Sequence, residues 1–91
     1  MARVEGPVIE PPSGGQRPRV YFNDAGAAHS GLFWTWIVRG NRVIAEGYSA
    51  TEVCMQQVPF PIEWIDDKTF EVTFHSERYG GTTRTATVKL K

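Results

Sequence analysis

The sequence predicts an α+β domain: a mostly antiparallel β-sheet in the order β-β-β-α-β-β-β, with one short helix packed on it. Three observations carry this. First, β-branched and aromatic runs recur between Gly, Asn, Asp and Pro signals at 19–24, 32–38, 43–46, 62–65, 69–74 and 83–90. Second, Ser49-Ala50-Thr51-Glu52 has capping-box spacing. Third, 91 residues make one domain, and a chain this short must fill its core with large side chains, which three Trp, five Phe and three Tyr supply.

Residues 1–18 hold four of the six prolines and three of the nine glycines. Proline breaks a helix and cannot donate to a sheet ladder. The segment is expected as a Pro/Gly-rich flexible arm, with Val4, Val8 and Ile9 leaving room for a short edge strand or a swapped arm. Residues 19–91 are expected as the single folded domain. Strand character begins at Arg19 and stops at Asn23-Asp24-Ala25-Gly26, a turn signal, and residues 27–31 form a small, polar loop.

The strand over 32–38 is followed by Gly40-Asn41, which suits a two-residue primed turn with positive φ. That turn sets a register in which Val38 faces Val43, Ile37 faces Ile44, Trp36 faces Ala45 and Trp34 faces Gly47. One face then carries Trp34, Trp36, Val38, Val43 and Ala45, and the other Phe33, Ile37 and Ile44. Both faces are apolar, so cover is expected on two sides. In the capping box, Ser49 accepts from the Glu52 N–H while the Glu52 carboxylate reaches back. The helix is expected to continue through Val53-Cys54-Met55-Gln56-Gln57 until Pro59 and Pro61 end it. Two or three turns are unstable alone, so Ala50, Val53 and Cys54 must pack on the sheet.

Strands over 62–65 and 69–74 flank Asp66-Asp67-Lys68. An odd, three-residue loop sets Trp64 beside Phe70 and Ile62 beside Val72, whereas an even loop would oppose Trp64 to Glu71. The last strand alternates cleanly, with Ala86, Val88 and Leu90 facing inward.

Ten basic residues balance ten acidic ones. Nucleic-acid and anionic-membrane binders usually carry a basic excess, so neither partner is favoured. Cys54 is the only cysteine, which excludes an internal disulfide framework. No apolar run reaches the ~18 residues of a membrane span and no signal-like stretch opens the chain, so no membrane contact and a cytoplasmic location are expected.

The segment Phe33-Trp34-Thr35-Trp36-Ile37-Val38, Gly40-Asn41, Val43-Ile44-Ala45, Glu46-Gly47-Tyr48-Ser49 resembles the repeat of the YegP-like family of small bacterial proteins. In that repeat an aromatic–x–aromatic–x–aliphatic strand, an Asn-Gly turn and Val-Ile-Ala precede Glu-x-Tyr and a capped helix. Here the turn is Gly-Asn, the helix is shorter, and the hairpins after Pro61 stand where a second repeat would. The resemblance covers about residues 32–58 and implies a strand–strand–helix unit and dimerisation, with no activity to carry over.

No catalytic constellation stands out, and the chain is expected to be no enzyme and to need no cofactor or metal. Cys54 is a nucleophile only with a histidine base, and its place beside Val53 predicts burial. His29 and His75 with Asp24, Asp66 or Asp67 lack metal-ligand spacing. Glu63 and Glu71 would oppose each other across a hairpin, as solvent-facing strand glutamates do. One set rises above this background: Trp34, Trp36, Arg39, Arg42 and Tyr48 on one hairpin, with Arg17 and Arg19 entering from the arm. Seven of the ten basic residues are arginine, the type suited to stacking and bidentate recognition. The expectation is a non-enzymatic protein-interaction or accessory module that self-associates, with a protein partner or homodimer using that set. The alternative is a weak single-stranded nucleic-acid binder stacking bases on the two tryptophans.

Overall fold

The computed structural model describes residues 3–23, 32–50, 58–76 and 81–90. All the regular structure among them is strand: β1 (Arg3–Val8), β2 (Arg19–Asn23), β3 (Leu32–Arg39), β4 (Arg42–Ala50), β5 (Ile62–Asp66), β6 (Thr69–His75) and β7 (Thr83–Lys89). They form one antiparallel seven-stranded sheet in the order β1-β2-β3-β4-β6-β5, with β7 on the other edge of β6. The α+β expectation is therefore corrected, for the described residues, to a single all-strand antiparallel sheet. Residues 51–57, where most of the expected helix falls, lie outside the described residues. Its proposed start does not: Ser49 and Ala50 are the last residues of β4. The Ser49 hydroxyl is buried and hydrogen-bonded to the Thr35 hydroxyl across the ladder, so it is committed to the sheet instead of capping a helix.

The arm contributes β1, which pairs with β2 through Arg3↔Asn23, Val4↔Phe22 and Glu5↔Tyr21 before its register breaks ahead of Val8↔Arg19. The Ile9 N–H donates to the Pro18 carbonyl at 2.8 Å, closing the intervening loop, and Ile9 is itself buried in the core.

At the Gly40-Asn41 turn, Gly40 has φ +65° and no described non-glycine residue has a positive φ, the pattern of a II′ hairpin. The expected Val38↔Val43 pair forms. One residue later the register slips, because Ile44 is bulged: Ile37 faces Ala45, Trp36 faces Glu46, Thr35 faces Gly47 and Trp34 faces Tyr48. A bulge adds a single residue and so exchanges the faces of everything beyond it. Ala45, Gly47 and Ser49 therefore share the inner face with Phe33, Thr35 and Ile37. Trp34 and Trp36 share the outer face with Tyr48 and Glu46. The β5–β6 register is the expected one, with Trp64↔Phe70 and Ile62↔Val72.

The sheet has two halves. β1–β4 is one meander, β5–β7 is another, and the backbone pairing joining them is Tyr48↔His75. Between them lies one core, in which Val20, Phe22 and Ile37 of the first half meet Phe70, Val72, Phe74 and Val88 of the second. Gly47 is what lets them close: an added Cβ there would lie 2.4 Å from Phe74 Cγ. Burial of each large apolar side chain in this core contributes about 1.5–3 kcal/mol, and the smallness of the inner face of β4 makes the space for them.

Candidate functional site

The outer face of the first half is built by strand alternation. Residues whose neighbours along the strand are buried must point away from the core. On β2, Val20 and Phe22 are fully buried, which sends Tyr21 outward. On β3, Phe33, Thr35 and Ile37 are buried, which sends Trp34 and Trp36 outward. The ladders align these side chains in rows: Glu5, Tyr21, Trp36 and Glu46 lie across four strands. The next row runs through Trp34 and Tyr48 to His75. Tyr21, Trp34, Trp36 and Tyr48 are all half-buried.

Contacts within the face fix these rings. Trp34 and Tyr48 stand edge to face, centroids 4.8 Å apart and planes at 85°, an arrangement worth about 0.5–1.5 kcal/mol beyond area burial. The Trp34 indole N–H donates to a Glu46 carboxylate oxygen at 3.0 Å. The Arg3 guanidinium lies over the Trp36 ring, 4.5 Å from its centroid. Arg19 pairs with Glu5 at 3.2 Å and donates to the Gly6 carbonyl at 3.1 Å. The result is an aromatic centre with cations and carboxylates along its margin.

The five residues expected to act together are divided between two places. Trp34, Trp36 and Tyr48 share the outer face. Arg39 and Arg42 oppose each other at the hairpin tip and line a cleft beside the end of β7. The arginine that does reach a tryptophan is Arg3, which assignment of residues 1–18 to an arm conceals. Tyr21 and Glu46 were also missed. Alternation of Tyr21 between Val20 and Phe22 signals the first, whereas the Ile44 bulge hides the second. Arg17 pairs with Glu10 at 3.3 Å, away from the aromatics.

The other chemical candidates do not assemble. Among the described residues no three His, Cys, Asp or Glu side chains come together to hold a metal. Cys54, His29 and Asp24 lie outside the described residues. Asp66 and His75 sit at opposite ends of the β5–β6 ladder and β6, about 20 Å apart along the strand at ~3.3 Å per residue. Glu63 and Glu71 are cross-strand partners as expected, with Glu63 exposed. Asp66 accepts the Lys68 N–H at 2.8 Å. That bond, with help from the Thr69 side chain, holds its carboxyl below the usual aspartate value, which is the behaviour of a turn-stabilising residue. No described helix is long and apolar enough to cross a membrane. Comparison of the chain with protein-family models, curated proteins and solved structures finds no match.

Proposed function

We propose that this chain is a non-enzymatic interaction module that self-associates through the outer face of β1–β4. The observation that carries the reading is the set of half-exposed aromatics, Tyr21, Trp34, Trp36 and Tyr48, gathered on one sheet face with charges of both signs at its rim. Aromatic centres with polar rims are the anatomy of protein–protein interfaces, and buried Trp and Tyr supply most hot spots. A second copy is the favoured partner because the face complements itself. An isologous pair brings the same patch together twice, and can set the Arg3 margin of one copy against the Glu46 margin of the other. The face is four strands wide, about 15 Å by 20 Å from standard strand spacings, which puts it at the small end of interfaces, where weak, transient contacts lie.

Nucleic-acid stacking fits this face less well. Arg3 already covers Trp36, and Glu46, which would repel phosphate, holds the Trp34 indole. Sedimentation velocity from about 5 to 500 μM, a span bracketing micromolar dissociation constants, tests the proposal. The wild type should pass from monomer to dimer across the series, and Trp36→Glu should remain monomeric throughout. A wild type that stays monomeric at the highest concentration refutes self-association. Salt-sensitive quenching of tryptophan fluorescence by an oligonucleotide would favour the alternative.

A further inference from the structure

We propose that the cleft between the start of β4 and the end of β7 takes up an extended acidic peptide as an added strand. β4 pairs with β3 along its length, and on its other side the strand pairing among the described residues is Tyr48↔His75. β7 pairs with β6 from Thr69↔Lys89 to His75↔Thr83, and no described strand pairs with its other side. These two edges, open among the described residues, touch where the Arg84 guanidinium donates to the Glu46 carbonyl. From that point they splay toward the hairpin tip around a cleft of about 260 Å³.

Open edges are normally blunted, because their unpaired N–H and C=O groups template strand addition. Here β1 carries Pro7 inside a register break, and β5 has a register break before Asp66. β7 has neither proline nor break: its ladder to β6 is continuous over seven pairs. The cleft is thus bordered by an edge that, among the described residues, has an unbroken ladder and no proline. Its walls combine the aliphatic side chains of Ile44, Val88 and Leu90 with the cations Arg42 and Lys89, and no Asp or Glu lines it. Arg42 and Lys89 are exposed. Lys89 also faces Asp66, whose carboxylate already accepts the Lys68 N–H. The stretch from Arg42 to Glu46 is about 13 Å long at ~3.3 Å per residue, room for four or five residues of an incoming strand. Alternating aliphatic and acidic side chains would place one set against Ile44 and Val88 and the other beside the cations. Main-chain hydrogen bonds supply affinity in this mode, and the alternate side chains supply selectivity.

The test uses a fluorescein-labelled, end-blocked pentapeptide, Glu-Val-Glu-Val-Glu, followed by anisotropy against the intact chain. Two controls separate strand addition from simple charge attraction: Lys-Val-Lys-Val-Lys, and Glu-Val-Pro-Val-Glu, which loses the central donor. The acidic peptide should bind at least about tenfold more tightly than either control, a difference of about 1.4 kcal/mol. Arg42→Glu combined with Lys89→Glu should weaken it at least tenfold. In amide NMR of the wild type, peptide-induced shifts should fall on residues 42–46 and 84–90. No saturable binding up to about 1 mM, a dissociation constant worth only 4.1 kcal/mol, overturns the proposal. So does equal binding of either control, or shifts centred on the outer aromatic face. Because self-association is read at Trp36 and peptide uptake at β7, failure of one leaves the other standing.

Discussion

Gly47→Ala should be among the most damaging single-methyl changes available to this chain. The added Cβ would sit 2.4 Å from Phe74 Cγ, 2.6 Å from Phe74 Cβ and 2.8 Å from Phe74 Cδ1. Rotating the ring about χ1 relieves only two of these contacts, because the Phe74 Cβ is fixed by the β6 backbone. Phe74 is fully buried and packs edge to face on Phe60, centroids 5.2 Å apart, so the ring has little room to turn. The remaining escape is for β4 and β6 to separate beside Tyr48↔His75, where they are joined. Overpacking that cannot relax by side-chain motion belongs at the top of its range, about 3 kcal/mol. A domain of this length has a total stability of about 5–14 kcal/mol. The variant should therefore lose roughly 2 M in its urea midpoint, given an m-value near 1–1.5 kcal/mol/M. A double-mutant cycle completes the test. Phe74→Ala removes the ring but keeps its Cβ, so it should cost about 1 kcal/mol less in the Gly47→Ala background than in the wild type. A Gly47→Ala midpoint within error of wild type, or strict additivity in the cycle, refutes the packing argument.

Two further predictions concern polar groups. Thr35→Val strips the buried Ser49 hydroxyl of its partner and should cost about 1–3 kcal/mol, whereas adding Ser49→Ala should recover part of that loss; chemical denaturation of the three variants checks the order. Asp66 should titrate below the ordinary aspartate value of about 3.9 when followed by carboxyl-carbon NMR, because the Lys68 N–H favours its charged form. A depressed folded-state pKa contributes stability above the unfolded value and loses it as pH falls through the folded value. Asp66→Ala should accordingly be destabilising at neutral pH and have no effect once the carboxyl is protonated.

Most strands can be located in the sequence because the turn chemistry and the period of two agree there. Trp64 could be placed opposite Phe70, and Val88 and Leu90 inward, since any other register buries Glu71 or Lys89. Gly40 likewise marks its own turn. The capping-box expectation failed at Ser49 because Ser-x-x-Glu is a local signal. A hydroxyl on the inner face of a long strand satisfies itself across the ladder just as well, and Thr35 was the partner to look for. The alternation of small residues at Ala45, Gly47 and Ser49 is a legible sign that β4 continues past Gly47, with a bulky neighbour above it. The bulge at Ile44 leaves no such sign, because Val43-Ile44-Ala45 reads as strand in either register. That single inserted residue decides which side chains face solvent. It leaves Arg39 and Arg42 paired at the tip as expected, but it sets Glu46 and Tyr48, instead of Ala45 and Gly47, beside the tryptophans.

The Tyr48↔His75 bridge, the strand pairing between the two meanders among the described residues, has a consequence for cooperativity. Within each meander the ladders join neighbours in sequence, apart from the hairpins' own closure, so either half can form from short-range contacts. What makes them one unit is side-chain interlock, Phe74 seated on Gly47 and both halves sharing one core. Native-state hydrogen exchange should therefore show two protection classes that merge only while that interlock holds. Loosening the core, with every ladder intact, would leave a pair of small sheets joined by the Tyr48↔His75 bridge and a few side-chain hydrogen bonds such as Arg84 to the Glu46 carbonyl.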